Sequence, residues 1–273
     1  MPDPTRAPGG STATRIGAMV LRHAYLLRTS WPRIFEMMYW PTIQMVLWGF
    51  FTVFLATKSS YIAQATGILI SAVLLWDVLF RGQLGFSLSF LEEIWSRNLG
   101  NLSVSPLKPA ELMAALMTMS VIRTLIGVLP AAGLAIVFYE VSVFELGLPL
   151  LAFFTNLLVM GWAIGMLVCA LILRVGLGAE SVVWLAIFLI APVSAIYYPV
   201  SVLPDWLQAV AWALPTAAVF EGMRAILIDG AVRGDLLLRA ALLNLFYLTI
   251  AAATFLYSFQ VARRRGLLLQ IGE

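Results

Sequence analysis

The sequence predicts an all-α integral membrane protein with six transmembrane helices. Hydrophobic residues make up 62% of its 273 residues and charged residues only 11%, which is far from the composition of a soluble globular domain. Stretches of about 20 residues with few charges recur along the chain, and each is long enough as a helix to cross a hydrocarbon core. Cys169 is the single cysteine and His23 the single histidine, so the sequence excludes an intrachain disulfide and a zinc site of several His and Cys ligands.

The segment before the first long apolar stretch has two parts. Residues 1–14 are rich in Pro, Gly, Ser and Thr and lack an apolar core, so we expect a disordered cytoplasmic tail rather than a signal peptide or a span. Residues 15–29 carry three arginines among apolar residues at helical spacing. This pattern predicts an amphipathic helix that lies flat on the membrane surface.

Six apolar stretches follow, and each predicts one membrane span. Their approximate bounds are 32–56, 63–88, 109–138, 148–173, 180–201 and 236–262. Pro41, Pro130 and Pro192 lie inside three of these spans, and we expect them to bend the helices. The helices and their connections form one transmembrane unit at 15–265, followed by a short cytoplasmic tail at 266–273.

The distribution of basic residues predicts the orientation of the chain, because cytoplasmic loops carry an excess of Lys and Arg. Placing both termini in the cytoplasm of a cell with a plasma (inner) membrane puts most basic residues on the cytoplasmic side. These residues are Arg15, Arg22, Arg28, Arg33, Arg97, Lys108, Arg174, Arg263, Arg264 and Arg265. The opposite side retains Lys58, Arg224, Arg233 and Arg239.

A polar cytoplasmic segment, FLEEIWSRNLGNL at residues 90–102, interrupts the apolar sequence after the second span. As a short helix it would direct Leu91, Ile94 and Trp95 towards the membrane or into a pocket of a partner, and Gly100 would end it. The side chains left for polar contacts with a soluble partner are Glu92, Glu93, Ser96, Arg97 and Asn98.

A second irregular segment, residues 203–230, lies on the outer side after the fifth span. It is too apolar for a free loop, and its prolines interrupt it too often for a span. We expect two short helices that begin near Asp205 and Thr216 and dip back into the outer leaflet. Trp206 and Trp212 would lie at the interface and, with Phe220, line or cap an exit pathway. The candidate residues of this hairpin are Asp205, Trp206, Trp212, Glu221 and Arg224.

Charged residues inside spans are costly and are often functional. Asp77 in the second predicted span and Arg123 in the third both lie roughly 20 Å deep at 1.5 Å per residue, so we expect them to meet. Arg81 lies one helical turn from Asp77 and is a rival partner. The pair would either orient two helices or contact a substrate.

The chain carries no sign of its own ATP site. Its only lysines are Lys58 and Lys108, and neither belongs to a GxxxxGK phosphate loop. The segments EEIWSRNLGNLSVSPLKPAE and YYPVSVLPDWLQAVAWALPTAAVFEGMR nevertheless resemble two motifs of the membrane subunits of type-two ABC exporters. They are similar to the coupling segment of that family, which ends in Ser-Pro, and to its stretch of Pro and Trp between the fifth and sixth spans. The family often has Asn before the late Pro, whereas this chain has Leu214, so Thr216 is the expected cap.

The resemblance, which covers residues 15–265, implies a permease subunit that works as a dimer with two copies of a separate ATPase. The chain would then bind no cofactor itself, ATP and Mg²⁺ would be held by the ATPase, and Glu92, Glu93, Trp95, Arg97 and Asn98 would form the coupling surface. The implied cargo is an amphiphile such as a lipid, glycan or drug. Its other expected partner is membrane lipid, and no nucleic acid is expected. Two alternatives are an integral-membrane transferase and an ion-coupled carrier that uses Asp77.

Overall fold

A computed structural model describes residues 11–56 and 60–269 of the chain. Most of the predicted N-terminal tail, Lys58 and residues 270–273 lie outside this part. The described residues contain ten α-helices, joined by turns and short 3-10 helices, and no β-strand. The helices are α1 Thr12–Thr29, α2 Trp31–Ala56, α3 Ser60–Trp95, α4 Leu99–Val104, α5 Pro109–Tyr139, α6 Leu148–Val175, α7 Val182–Ile190, α8 Asp205–Ala213, α9 Pro215–Asp229 and α10 Gly234–Arg264.

Four of these helices are long and apolar enough to cross a membrane, namely α3 from Gly67 onward, α5, α6 and α10. The bent pair of α8 and α9 makes a fifth if it counts as one broken span. The membrane character of the chain is therefore clear, whereas the predicted number of six spans is not confirmed. Helix α2 has 26 residues but is not among these four.

The predicted fifth span at 180–201 is wrong as a continuous helix. Helix α7 ends at Ile190, and a 3-10 helix at Ala191–Val193 leads into an irregular segment in which Ala195 has a φ of 54°. Pro192 explains the end of the helix, because proline has no N–H to donate to the helical ladder. Helices α2 and α5, in contrast, continue through Pro41 and Pro130.

Helices α3 and α6 form the centre of the bundle. Within their most apolar 18-residue windows, 78% and 72% of residues are buried, against 22% for α10. A Cβ on Gly161 of α6 would lie 2.8 Å from the carbonyl oxygen of Leu79 in α3. Glycine therefore permits a backbone approach that any larger residue would prevent, as is common between membrane helices.

Most of the predicted cytoplasmic arginines lie at one end of this bundle. We call it the basic end, where α3, α6 and α10 finish and where α2 and α5 begin. Helix α1 packs there against α5 and α2, and α4 packs against the 3-10 helix Leu267–Leu269 that follows α10. The basic residues that the sequence predicts on one side of the membrane are therefore concentrated at one end of the bundle.

Helix α1 begins at Thr12, three residues before the predicted start, because Ser11 caps it. The Ser11 hydroxyl accepts a hydrogen bond from the backbone N–H of Thr14 at 3.3 Å. Met19, His23 and Leu27 are buried at four-residue spacing, so one face of the helix packs onto the bundle.

Candidate functional site

The predicted coupling segment is divided between two helices. Its first half belongs to α3, which continues to Trp95, because Leu91 and Ile94 are buried in the core. A tight turn with Arg97 at a φ of 53° then leads into α4. A separate helix ended by Gly100 is therefore wrong, since Gly100 lies inside α4.

Glu92 and Glu93 face into the protein, so their predicted availability to a partner is also wrong. Glu92 is 8% exposed and Glu93 is fully buried. His23 of α1 lies between them, with Nδ1 at 3.3 Å from Glu92 Oε2 and Nε2 at 3.2 Å from Glu93 Oε1. Only the Nδ1 contact has hydrogen-bonding geometry, and Nε2 has no hydrogen-bond partner among the described residues.

Three arginines neutralise the two glutamates. Arg123 of α5 donates from Nη2 to both carboxylate oxygens of Glu92, at 2.9 and 2.8 Å, and Arg33 of α2 donates to Glu92 Oε1 at 2.8 Å. Arg22 of α1 lies 3.3 Å from Glu93 Oε2. We call these residues the glutamate cluster: Arg22, His23, Arg33, Glu92, Glu93 and Arg123.

The glutamate cluster joins four helices at the basic end, because its members come from α1, α2, α3 and α5. Removing one partner of a buried ion pair typically costs about 3 to 5 kcal/mol, since the other charge is left without compensation.

A second contact, between Arg15 and Glu111, fixes the start of α1. Arg15 donates to both oxygens of Glu111, from Nε at 2.8 Å and from Nη2 at 2.5 Å. The hydrogen bond and the charge of Glu111 raise the pKa of Arg15, so its guanidinium stays charged.

The part of the predicted coupling surface that remains accessible is the turn at residues 95–98, which we call the polar turn. Trp95 is 46% exposed, Ser96 and Arg97 are exposed, and Asn98 is half-buried. Asn98 also donates to Glu93 Oε2 at 2.6 Å. An exposed aromatic ring therefore lies within one helical turn of the glutamate cluster, and the last turn of α3 and the Asn98–Glu93 hydrogen bond connect the two.

The predicted ion pair between Asp77 and Arg123 is wrong, because Arg123 binds Glu92 instead. Helix α3 ends at Trp95 rather than near residue 88, and those seven residues add about 10 Å at 1.5 Å per residue. Asp77 is correspondingly farther from the basic end, and it also lies 15 residues, about 22 Å along α3, from Glu92, the residue that contacts Arg123. The side chain of a helical residue also points towards the start of its helix, which for Arg123 is the basic end.

Arg81, the alternative partner that the sequence offered for Asp77, is the cation that interacts electrostatically with it. The two residues are 7% and 2% exposed, and each interacts electrostatically with the other. Asp77 Oδ2 and Arg81 Nε have no hydrogen-bond partner among the described residues. Arg81 is also attracted by Glu36 of α2, whereas Arg81 is the one cation that acts on Asp77 among the described residues.

The hairpin forms the opposite end of the bundle, and its two predicted helices are confirmed. Helices α8 and α9 begin at Asp205 and Pro215 and meet at an angle of 96°. The predicted cap at Thr216 is wrong, because Leu214 occupies the cap position and the Thr216 hydroxyl lies 3.1 Å from that of Ser194.

The side chains predicted in the hairpin have separate roles in the structure. Asp205 is exposed in the first turn of α8, Trp206 is 70% exposed, and Phe220 is fully buried in the core. Trp212 packs against the guanidinium of Arg239, which lies 4.9 Å from its ring centre. Phe220 therefore cannot line an accessible exit pathway in this conformation.

Glu221 and Arg224 hold the irregular segment after α7. Arg224 donates to the carbonyl oxygens of Ala195 and Ile196 at 2.7 and 3.2 Å, and it lies 3.2 Å from Glu221. Glu221 accepts from the backbone N–H of Val200 at 2.6 Å. These two predicted site residues satisfy backbone groups that no helix or strand pairs.

Sequence reasoning missed the contributions of Arg22, His23 and Arg33 to the glutamate cluster. The available signal was His23 itself, which falls on the apolar face of α1 with Met19 and Leu27. No protein-family model matches this chain, and no curated protein is significantly similar to it. Its function is therefore inferred from its own residues and contacts.

Proposed function

We propose that the chain is the membrane subunit of an ATP-driven exporter, related to the type-two ABC exporters that its two motifs resemble. The observation that carries the proposal is the direct connection between the exposed polar turn and the glutamate cluster, through the last turn of α3 and the Asn98–Glu93 hydrogen bond. A subunit without an ATP site must receive work through a surface outside the bilayer. Trp95 offers such a surface, and Glu92 and Glu93 join it to α1, α2 and α5.

In this proposal a separate ATPase binds the polar turn, with ATP and Mg²⁺ held by the ATPase. Closure of an ATPase dimer pushes on Trp95, and α3 transmits the movement because buried ion pairs resist being separated. Helices α1, α2 and α5 follow α3 as one group, so the central pathway opens alternately to either side of the membrane. The permease works as a dimer in the plasma (inner) membrane with both termini in the cytoplasm.

The cargo in this proposal is an amphiphile, such as a lipid, a glycan or a drug-like molecule. The apolar hairpin of α8 and α9 at the opposite end presents Trp206 and half-buried Trp212. Such amphipathic rings favour the boundary between water and hydrocarbon, where an amphiphile leaves the protein.

The buried carboxylate of Asp77 favours a second candidate, an ion-coupled carrier. Asp77 lies in a membrane-spanning helix, and its Oδ2 atom has no hydrogen-bond partner among the described residues. Ionisable residues in such places mark the ion pathways of many transporters. A carrier would transport its cargo in response to an ion gradient without any ATPase.

Co-purification with an ATPase separates these proposals, and Trp95→Ala tests the coupling surface directly. We expect the variant to weaken association by about 2 kcal/mol or more, because an aromatic anchor contributes strongly at an interface. Trp31→Ala is the matched control, since Trp31 is a 74% exposed tryptophan that begins α2 at the same end. Normal association and transport by Trp95→Ala would contradict the proposed coupling surface.

A further inference from the structure

The ends of α6 and α10, with Arg265 and Leu267 just after α10, line a partly open cavity of about 220 Å³ at the basic end. Its polar lining consists of Arg174, Tyr257, Ser258 and Arg265, and the rest of the lining is apolar. No carboxylate is present among the described residues that line it. The cavity therefore combines two positive charges with hydroxyl groups, which is a suitable environment for an oxyanion.

Arg174 is held in position by two contacts with α10. Its Nε atom donates to Ser258 Oγ at 3.0 Å, and its Cζ atom lies 5.4 Å from the centre of the Tyr257 ring. These contacts use the Nε edge and one face of the guanidinium. They leave Nη1 and Nη2 for a ligand, and planar guanidinium groups bind phosphate oxygens well through these atoms.

The surroundings of the cavity match a lipid better than a free anion. Phe246, Ile250 and Tyr257 are exposed along α10 at spacings of four and seven residues, which places them on one face of the helix. Tyr257 lies at the end of this face and also lines the cavity. In a bilayer the face would contact acyl chains while the cavity lies near the head groups.

The ordinary role of cations at a helix end accounts for only part of this arrangement. Arginines near a C-terminus interact favourably with the partial negative charge of the last carbonyl groups. That effect explains the presence of Arg174 and Arg265 but requires neither a cavity between two helices nor the contacts with Ser258 and Tyr257. Basic pockets between membrane helices are suited to lipid head groups.

We propose that this cavity binds the phosphate of an anionic phospholipid, with an acyl chain along the exposed face of α10. Arg174 and Arg265 bind the phosphate oxygens. The site is independent of the proposed transport cycle, because it involves neither the polar turn nor the glutamate cluster.

The test is native mass spectrometry of the full-length chain in detergent, titrated separately with short-chain phosphatidylglycerol, short-chain phosphatidylcholine and inorganic phosphate. We expect phosphatidylglycerol to bind more tightly than phosphatidylcholine, and inorganic phosphate not to displace it at equal concentration. Arg174→Gln and Arg265→Gln should each weaken phosphatidylglycerol binding about fivefold, because a basic residue at a lipid surface contributes roughly that factor. Arg264→Gln, which removes a neighbouring charge that does not line the cavity, should leave binding unchanged.

Three outcomes would overturn the proposal. Equal binding of the two lipids would remove the requirement for an anionic head group. Displacement by equimolar inorganic phosphate would assign the cavity to a free anion. An equal loss in Arg264→Gln and Arg265→Gln would show only a diffuse attraction to the basic end. Arg265→Gln keeps the test valid if Arg174→Gln disturbs the packing of α6 against α10, because Arg265 is exposed.

Discussion

Arg123 of α5 binds both carboxylate oxygens of Glu92 of α3, at 2.9 and 2.8 Å, in a site where each side chain is 7% exposed. The two residues are the centre of the glutamate cluster, because Glu92 also contacts α1 through His23 and α2 through Arg33. A movement of the end of α3 must therefore either carry the other three helices with it or break these contacts, of which those of Arg123 and His23 are buried, whereas the side chain of Arg33 is 46% exposed.

The first prediction measures the coupling between these two residues. Glu92→Gln and Arg123→Met should each lower the thermal stability of the purified chain, because each leaves an opposite charge buried. The double variant should be more stable than the sum of the two losses predicts, by at least about 1 kcal/mol. Losses that simply add would show that the ion pair does not join α3 to α5.

A cycle between Asp77 and Arg123 is the matched control for that measurement. The structure pairs Arg123 with Glu92, so the losses in Asp77→Asn and Arg123→Met should add within about 0.5 kcal/mol. Strong coupling in this control would support the ion pair between Asp77 and Arg123 that the sequence alone predicted.

The second prediction concerns the attachment of α1. His23→Ala should loosen the helix, because His23 is fully buried and contacts both Glu92 and Glu93. Trypsin should then cleave at Arg22 and Arg28 faster than in the unaltered chain, as measured by mass spectrometry of the fragments.

Tyr25→Ala is the control for this experiment, since Tyr25 belongs to the same helix but is 58% exposed. Its cleavage rate should match that of the unaltered chain. If His23→Ala is cut no faster than Tyr25→Ala, the histidine does not hold α1 against the bundle.

Several features of the fold could be predicted from the sequence because they depend on local patterns. Apolar stretches located the long helices, and Pro204 and Pro215 located the starts of α8 and α9 to within a residue. The pattern of basic residues identified the end where Arg15, Arg33 and Arg174 lie.

The glutamate cluster could not be predicted, because it depends on packing between distant parts of the chain. The polar dipeptide of Glu92 and Glu93 has the composition of a solvated surface, and packing of α3 against α1, α2 and α5 buries it. The error at Asp77 has a related origin, since hydropathy placed the end of α3 at residue 88. A shift of seven residues along a helix changes which side chains are level with one another.

The third prediction tests the orientation with single cysteines. Val104→Cys in α4 and Val232→Cys after α9 replace side chains that are 86% and 59% exposed at the two ends of the bundle. An impermeant thiol reagent added to intact cells should label only position 232, because the basic end is expected in the cytoplasm. The native Cys169 is fully buried and should contribute little background. Labelling of position 104 alone would show that the orientation is the opposite one, with the polar turn outside the cytoplasm.

The last prediction distinguishes the two transport mechanisms through Asp77 and Arg81. Arg81→Gln and Asp77→Asn should each destabilise the chain, because each removes the electrostatic attraction between two buried side chains. In an ATP-driven exporter, Asp77→Asn should retain ATP-dependent transport in vesicles that contain both the chain and its ATPase. In an ion-coupled carrier, the same variant should abolish accumulation driven by an ion gradient while the protein remains folded, since the coupling carboxylate is gone. Loss of gradient-driven transport in Asp77→Asn, with no requirement for ATP in the unaltered chain, would favour the carrier over the exporter.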